Sequence, residues 1–353
     1  MLTINVVGCG RIAQRHTELL ASGAVSGARL GAVCDLQPTR AEELGKRRGV
    51  PWFLDMDEMM RSVPCDVVSV LTESGYHAEH VVRLAHHGRH IVVEKPMALT
   101  LEDADRMVAA CDLQGVKLFV VKQNRLNRPV VALRRALEDG RFGRLVMGSV
   151  RVRWCRTQEY YDQASWRGTW ALDGGVLANQ ASHHLDLLEW MMGDVDTVYA
   201  TTRTRLVDIE AEDTAVAVLQ FSSGALGVVE ATTATRPTDI EGSVSILGEG
   251  GMAEIAGFAV NHLKEWHFVD EHPEDANLAA VSENPPDVYG FGHRAYYEHV
   301  VDSIVNGSPQ LVDGLEGRRS LELIQALYES AESGKPVDLR LRQRASRLGR
   351  LGP

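Results

Sequence analysis

The sequence predicts an α/β protein in two parts: an amino-terminal doubly wound parallel sheet, then an α+β part built on a mostly antiparallel open sheet. Three observations carry this. Over residues 1–123, strand-like apolar runs alternate with helix-like segments, as β-α units of a parallel sheet do. The first unit places a glycine turn between its strand and its helix. After "NRLNRPVVALRRALEDGRFG", strand-like runs follow one another directly, joined by short Gly-rich turns.

The elements follow in order. "INVVGCGRIAQRHTELLASG" reads as strand, turn and helix, with Gly8, Gly10 and Ala13 in the spacing G-x-G-x-x-G/A of a Rossmann dinucleotide fingerprint. Gly8 makes the tight turn, and Gly10 admits a pyrophosphate to the N–H groups that open the helix, near Arg11 and Ile12. "ARLGAVCD" is a second strand closed by Asp35, placed to accept hydrogen bonds from a ribose diol and to repel a 2′-phosphate. The loop at 22–27 absorbs a spacing longer than the usual ~20 residues. The cofactor this predicts is NAD; Arg40 reads as surface.

"DVVSVLT" is a strand ending at Thr72, and "AEHVVRLAHHG" is a helix. "HIVVEKP" is a strand that ends in charge and proline. "TLEDADRMVAACDLQG" is a helix with Thr100 as N-cap, and "VKLFVVKQN" is a further strand. Ligands of such sheets bind outside the carboxyl ends of the strands. Asp35, Thr72, Glu94, Lys95, Gln123 and Asn124 all fall there. Proline holds the residue before it extended, so Lys95 is expected to be fixed where the cofactor crevice lies.

In the second part, "RLVMGSVRVRW", "VDTVYATTRTR", "DTAVAVLQFSSGALGVVEATTAT", "EGSVSILGEGGMAEIAG" and "AVNHLKEWHFV" are strands. One helix interrupts them, "GGVLANQASHHLDLLEWMMG". Leu177, Ala181, Leu188 and Met191 form its core face, and Asn179, His183 and Asp186 share another stripe. Before it, "YYDQASWRGTW" offers Tyr160, Tyr161, Trp166, Arg167 and Trp170, either as the wall of a sugar or nucleotide pocket or as an amphipathic connection. The expected division is a dinucleotide-binding domain at 1–123, a substrate and oligomerisation domain at 124–338, and an Arg-rich tail at 339–353. That tail is read as a solvated end or an oligomer contact.

The 353 residues carry a net charge of −11, which argues against general nucleic-acid binding. No apolar run approaches the roughly 20 residues that span a bilayer, and the amino-terminal stretch has no basic n-region. Five cysteines without zinc or redox spacing fit a reducing cytoplasm, and no metal site is expected.

The Gly-x-Gly-x-x-Ala start, Glu-Lys-Pro at the fifth strand, and Gly-Gly ahead of a helix with His183 resemble the glucose–fructose oxidoreductase/inositol dehydrogenase (Gfo/Idh/MocA) family over residues 1 to about 338. The resemblance implies NAD-dependent oxidation of a carbinol, with Lys95 and His183 beside the nicotinamide. Where the family often has Asp four residues before the histidine, this chain has Asn179. "WRGTWALDGG…NQASHHLDLLEW", "KQNR" and "ENPPDVYGFGH" are similar to UDP-N-acetylglucosaminuronate 3-dehydrogenases of surface-polysaccharide synthesis. Inositol or simple-sugar dehydrogenases, an NADPH keto-sugar reductase and a non-enzymatic dinucleotide-binding regulator are the alternatives.

On this basis His183 is the base or relay partner and Lys95 orients the hydroxyl, or the reverse, with Asn179 bonding substrate or Lys95. The cofactor set is Gly8, Gly10, Arg11, Ile12, Asp35, Thr72, His77, Glu94, Lys95 and Gln123. The substrate set is Lys95, Asn124, Arg125, Tyr160, Trp166, Arg167, Asn179, Gln180, His183 and His293. Apolar residues on both faces of the second sheet, together with the resemblance, predict a homo-oligomer, a tetramer.

Overall fold

A computed structural model describes residues 1–273, 275, 281–283, 285 and 290–339. The arginine tail from 340 onward lies outside the described residues, as does part of "ENPPDVYGFGH".

The first sheet contains β1 (Leu2–Val7), β2 (Ala28–Cys34), β3 (Trp52–Phe53), β4 (Val67–Val70), β5 (His90–Val93) and β6 (Leu118–Val120). Their order is β3-β2-β1-β4-β5-β6, and every pairing is parallel. Helices α1 (Arg11–Ala21), α2 (Pro38–Arg48), α3 (Met56–Ser62), α4 (His77–Ala85) and α5 (Leu101–Leu113) cross between strands. Residues Val67–Val70 are buried without a break, as strands covered on both faces are. One face packs Ala13, Leu20 and Leu44 over Ile4 and Val6; the other packs Met59, Val81, Leu84 and Met107 over Val68 and Ile91. Thr100 caps α5 as expected, its side chain accepting from the Asp103 N–H at 3.1 Å. Strand order reverses between β1 and β4, and the crevice opens there.

The second part runs α6 (Arg128–Glu138), β7 (Leu145–Arg153), α7 (Gln158–Asp162), α8 (Ser182–Met192), β8 (Val195–Arg203), β9 (Thr214–Phe221), β10 (Leu226–Thr232), β11 (Glu241–Gly248), β12 (Gly251–Ala256), β13 (His262–Phe268), α9 (Gly292–Val305), α10 (Gly314–Ser333) and β14 (Val337–Asp338). Its eight strands lie in the order β13-β12-β11-β7-β10-β9-β8-β14. Among the described residues of this sheet, only β7 and β10 pair parallel.

On one face α8 and α10 pack Leu185, Leu188 and Leu327 against Val150, Leu219 and Val229. The approach of α8 is close: a Cβ on Gly148 would sit 2.7 Å from Met192. On the other face Met147, Tyr199, Val216, Val218, Leu226 and Val228 are exposed. The carboxy-terminal helices serve both sheets. Tyr296, Tyr297 and Val300 of α9 and Leu321 of α10 enter the cores that flank the first sheet. The chain order of the two expected domains is therefore not the whole order of packing.

Candidate active site

The glycine turn is dictated by sterics. Gly8 has φ +95°, and a Cβ there would lie 2.6 Å from the Leu71 carbonyl oxygen. Gly10 is the N-cap of α1 with no side-chain cap, and a Cβ on it would meet nothing within 4 Å. The space beside Gly10 at the start of α1 is therefore open, and Gly10, Arg11 and Ile12 line the cleft there, where a pyrophosphate can meet a helix start. Asp35 follows β2 and braces the turn. Its Oδ2 accepts from Cys9 N at 2.7 Å and its Oδ1 from Gln37 N at 2.8 Å.

A cleft of about 490 Å3 runs from here past Arg11, Ile12, Thr72 and His77 to Lys95, Gln123, Asn179 and His183. Tyr160, Trp166 and Arg167 form its far wall, and Arg40, expected as surface, is exposed yet lines its edge. Buried Gln123 Oε1, Gln180 Oε1 and His183 Nδ1 have no protein partner, as befits groups that meet a ligand.

His77 is buried and joins two strand ends, its Nδ1 2.9 Å from Pro96 O and its Nε2 3.0 Å from Thr72 O. Glu94 lies under Lys95, with Oε2 accepting the Lys95 backbone N–H at 2.9 Å and Oε1 3.0 Å from His16 Nε2. Burial opposes the charge of Glu94, but hydrogen bonds from His16 and His293 hold its carboxyl well below the usual range. His16, Glu94 and His293 place ligand atoms within 4.8 Å of one another. His16 is already committed to Glu94 and, at 2.7 Å, to Tyr297. His293, assigned from sequence to substrate, is buried in this floor.

The catalytic candidates converge. Lys95 Nζ donates to Asn179 O at 2.9 Å and to Asn179 Oδ1 at 3.3 Å. Burial lowers the Lys95 pKa, with Glu94 and Asp173 acting the other way. His183 Nε2 lies 3.2 Å from Gln123 Nε2, an amide nitrogen that can only donate, so the ring proton belongs on Nδ1. Burial first, then the Lys95 and Lys122 cations, push His183 well below its ordinary value.

The shared helical stripe expected for Asn179, His183 and Asp186 is not how they meet. Helix α8 begins at Ser182, and Asn179 lies in the turns before it. Gly174 has φ +82°, and Glu212 takes the Val176 and Leu177 N–H groups at 3.0 and 2.8 Å; both keep this segment out of the helix. Asp186 turns to a bidentate pair with Arg125, both bonds 2.8 Å, with Lys122 at 3.6 Å.

Two expectations, Arg125 and Asn124 as substrate contacts, are corrected here, the first by this pairing. Arg125 is a buried partner of Asp186 and Glu316 stacked 4.7 Å over Trp190, and neither it nor Asn124 lines the cleft. Gln180 does line a side pocket of about 90 Å3 with Trp154, Arg156 and Tyr160. Arg167 stacks 4.2 Å over Tyr160. Tyr161 is buried beside Thr233, and Trp170 packs edge-on to Tyr328.

Sequence reasoning missed Asp173, Trp154 and Arg156. Asp173 accepts from Asn179 Nδ2 and, at 2.8 Å, from Gly168 N. Its one signal was an acid directly before Gly174-Gly175, within the stretch already quoted.

A dinucleotide cleft bounded by a half-buried lysine and a buried histidine defines an NAD-binding oxidoreductase of two sheets. The family description "Oxidoreductase family, NAD-binding Rossmann fold" matches residues 2–122, and "Oxidoreductase family, C-terminal alpha/beta domain" matches 134–339. The chain belongs to the Gfo/Idh/MocA oxidoreductase family. It is similar, at 43% identity and TM-score 0.92, to the WlbA dehydrogenase of Bordetella pertussis solved with NADH and UDP-GlcNAcA, over 96% of this chain and 97% of that one. The corresponding enzyme of Chromobacterium violaceum, with the same ligands, is 41% identical with TM-score 0.91, over 97% of both chains. D-apiose dehydrogenase of Paraburkholderia graminis is 28% identical over 95% of this chain and 89% of its own.

Proposed function

We propose that the protein oxidises the C3 hydroxyl of UDP-N-acetylglucosaminuronate with NAD. The observation that carries this is the convergence of the glycine turn, Asp35, Lys95 and His183 in one cleft, faced by Tyr160, Trp166 and Arg167. The sugar nucleotide is supported by the ligand of the two WlbA structures, matched over nearly the whole chain. NAD, when bound, supplies the hydride acceptor. The open start of α1 and Gly10 hold its pyrophosphate, and Asp35 holds the adenosine ribose diol.

Lys95 is the base in this account. As an amine it keeps two N–H bonds to Asn179 and turns its lone pair to the substrate hydroxyl, whose proton it takes as hydride leaves the carbon. Burial lowers its pKa in the direction this role needs. His183, held neutral, is a poor base and a good donor; its Nδ1–H orients the same oxygen. This reverses the order of roles preferred from sequence.

The exposed Val216, Val218, Leu226 and Val228 support a homo-oligomer, a tetramer, joined through the open sheet face. Among the described residues no helix is long and apolar enough to cross a membrane. Five free cysteines, four of them buried, fit the reducing cytoplasm proposed as its compartment.

The test is NADH formation from a panel of UDP-N-acetylglucosaminuronate, UDP-N-acetylglucosamine, D-apiose and myo-inositol, with and without a 2-oxo acid as reoxidant. Highest kcat/KM with the UDP-uronate supports the reading. The D-apiose relative favours a free-sugar dehydrogenase as the second reading, and preference for the uncharged sugars would establish it instead.

A further inference from the structure

We propose that Asp173 is a positioning residue for this oxidation: its carboxylate fixes the Asn179 amide in the one orientation that presents Oδ1 to Lys95, and ties that amide to the turn carrying Trp166 and Arg167. A side-chain amide has a donating end and an accepting end. Lys95 Nζ lies 3.3 Å from Asn179 Oδ1, and Asn179 Nδ2 donates to Asp173 Oδ1. A lysine N–H needs an acceptor and an ionised carboxylate needs a donor. The reversed amide would set N–H against N–H and oxygen against oxygen, so the two neighbours leave a single orientation.

Asp173 is 2% exposed, and its other oxygen accepts the Gly168 N–H at 2.8 Å. Gly168 has φ +70° and a Cβ there would sit 2.8 Å from Ile209, so this turn has one tight packing. Arg167 next to it stacks on Tyr160 and Trp166 at the cleft wall. One carboxylate thus links the amine that takes the proton to the wall that holds the substrate. The backbone carbonyl of Asn179 cannot replace it, because that oxygen fixes Lys95 without selecting the face of the amide.

Protonation removes this selection, because a carboxylic acid can donate as well as accept. Burial pushes Asp173 up to about 6, opposed by the Gly168 and Asn179 bonds and by the Lys95 and Arg167 cations. Glu212 and Tyr161 are the other titratable groups that feel its charge. The carboxylate is present above this value and is lost as pH falls through it, so kcat gains an acid limb near pH 6.

The inference rests on the reading that Lys95 acts on the substrate hydroxyl. Its test compares the wild type, Asp173→Asn, and the exchanged pair Asp173→Asn with Asn179→Asp, using UDP-N-acetylglucosaminuronate and NAD. The single change sets two amides against each other and frees the amide to turn. It is expected to lower kcat by about 10²-fold, the scale of a small misplacement, with the KM for NAD unchanged, the limb near pH 6 gone and the rise set by Lys95 retained. The exchanged pair restores one donor and one acceptor and still offers Lys95 an oxygen. It is expected to recover at least about tenfold of the loss.

A second arm needs no substrate. The Lys95 ε-carbon is titrated by NMR in the NADH complex, and Asp173→Asn is expected to lower the Lys95 pKa, because Asp173 supports the charged form. Failure of the UDP-sugar to react would count against the functional reading while this titration still decides the role of Asp173. A wild-type kcat in Asp173→Asn, or an unmoved Lys95 titration, overturns the proposal. If Asp173→Asn does not fold, the exchanged pair decides: a folded pair with near wild-type turnover supports the role, and a folded pair still slowed about 10²-fold overturns it.

Discussion

Lys95→Ala separates a lysine that ends a strand from a lysine that does chemistry. The change removes Nζ from Asn179 O and Oδ1, 2.9 and 3.3 Å away. Two lost bonds cost about 1–3 kcal/mol of stability, offset by release of a half-buried cation from its desolvation, so the protein stays folded. The chemical cost is larger. A positioned acid–base group contributes about 10²–10⁴-fold, which is about 2.7–5.4 kcal/mol of barrier. The expected result is a loss of that order in kcat with the NADH dissociation constant within about twofold of wild type, since the turn and Asp35 are untouched.

The pH profile sharpens the test. Burial holds Lys95 below its ordinary 10.5, and the neutral amine is the active form. Wild-type kcat therefore rises with pH through that lowered value and levels above it. Lys95→Arg cannot lose its proton and stays slow throughout. The assay is single-turnover NADH formation. Folded Lys95→Ala protein that forms NADH at the wild-type rate would refute the reasoning.

Three further outcomes are expected. Asp35→Ala removes both the ribose acceptor and the repulsion of a 2′-phosphate, so the preference for NAD over NADP in binding titrations should narrow; an unchanged ratio would put cofactor choice elsewhere. Burial opposes the charge of Asp186, but Arg125 and Lys122 hold it at about 2 against an ordinary 3.8. Its stabilisation, about 2 kcal/mol, is complete above the unfolded value and is lost as pH falls from about 4 to 2. Asp186→Asn leaves the buried Arg125 with Glu316 as its one remaining carboxylate and should cost up to about 3 kcal/mol in urea unfolding at neutral pH, with a flatter acid limb. Val218→Asp combined with Leu226→Asp charges the open sheet face and should give a lighter species by light scattering; an unchanged mass would exclude that face as the interface.

Most of the first sheet was legible because its signals are local. The glycine turn, the Thr100 cap and the runs of β-branched residues act within a few positions of themselves. The hairpins were legible for the same reason: Ser222–Gly224 joins β9 to β10, and Glu249–Gly250 joins β11 to β12. The start of α8 was not, because Glu212, far along the chain, takes the N–H groups of Val176 and Leu177. Arg125 was misread for a related reason. Next to Gln123 at a strand end it has the address of a ligand contact, and only the fold brings Asp186 and Glu316 against it. Lys95 was found because it ends a strand before proline, and His183 because Asn179 and Asp186 stand at helical spacing from it and the family resemblance falls on it. Asp173 carries no such mark; its role depends on which way Asn179 faces.

The most direct measurement of the central claim uses UDP-N-acetylglucosaminuronate with deuterium at C3, reacted with NAD in a single turnover. The account predicts deuterium at C4 of the nicotinamide, a primary isotope effect on that turnover, and a C3 ketone as product. Protium at C4 with deuterium retained on the sugar, or NADH formed with another carbon oxidised, would contradict it.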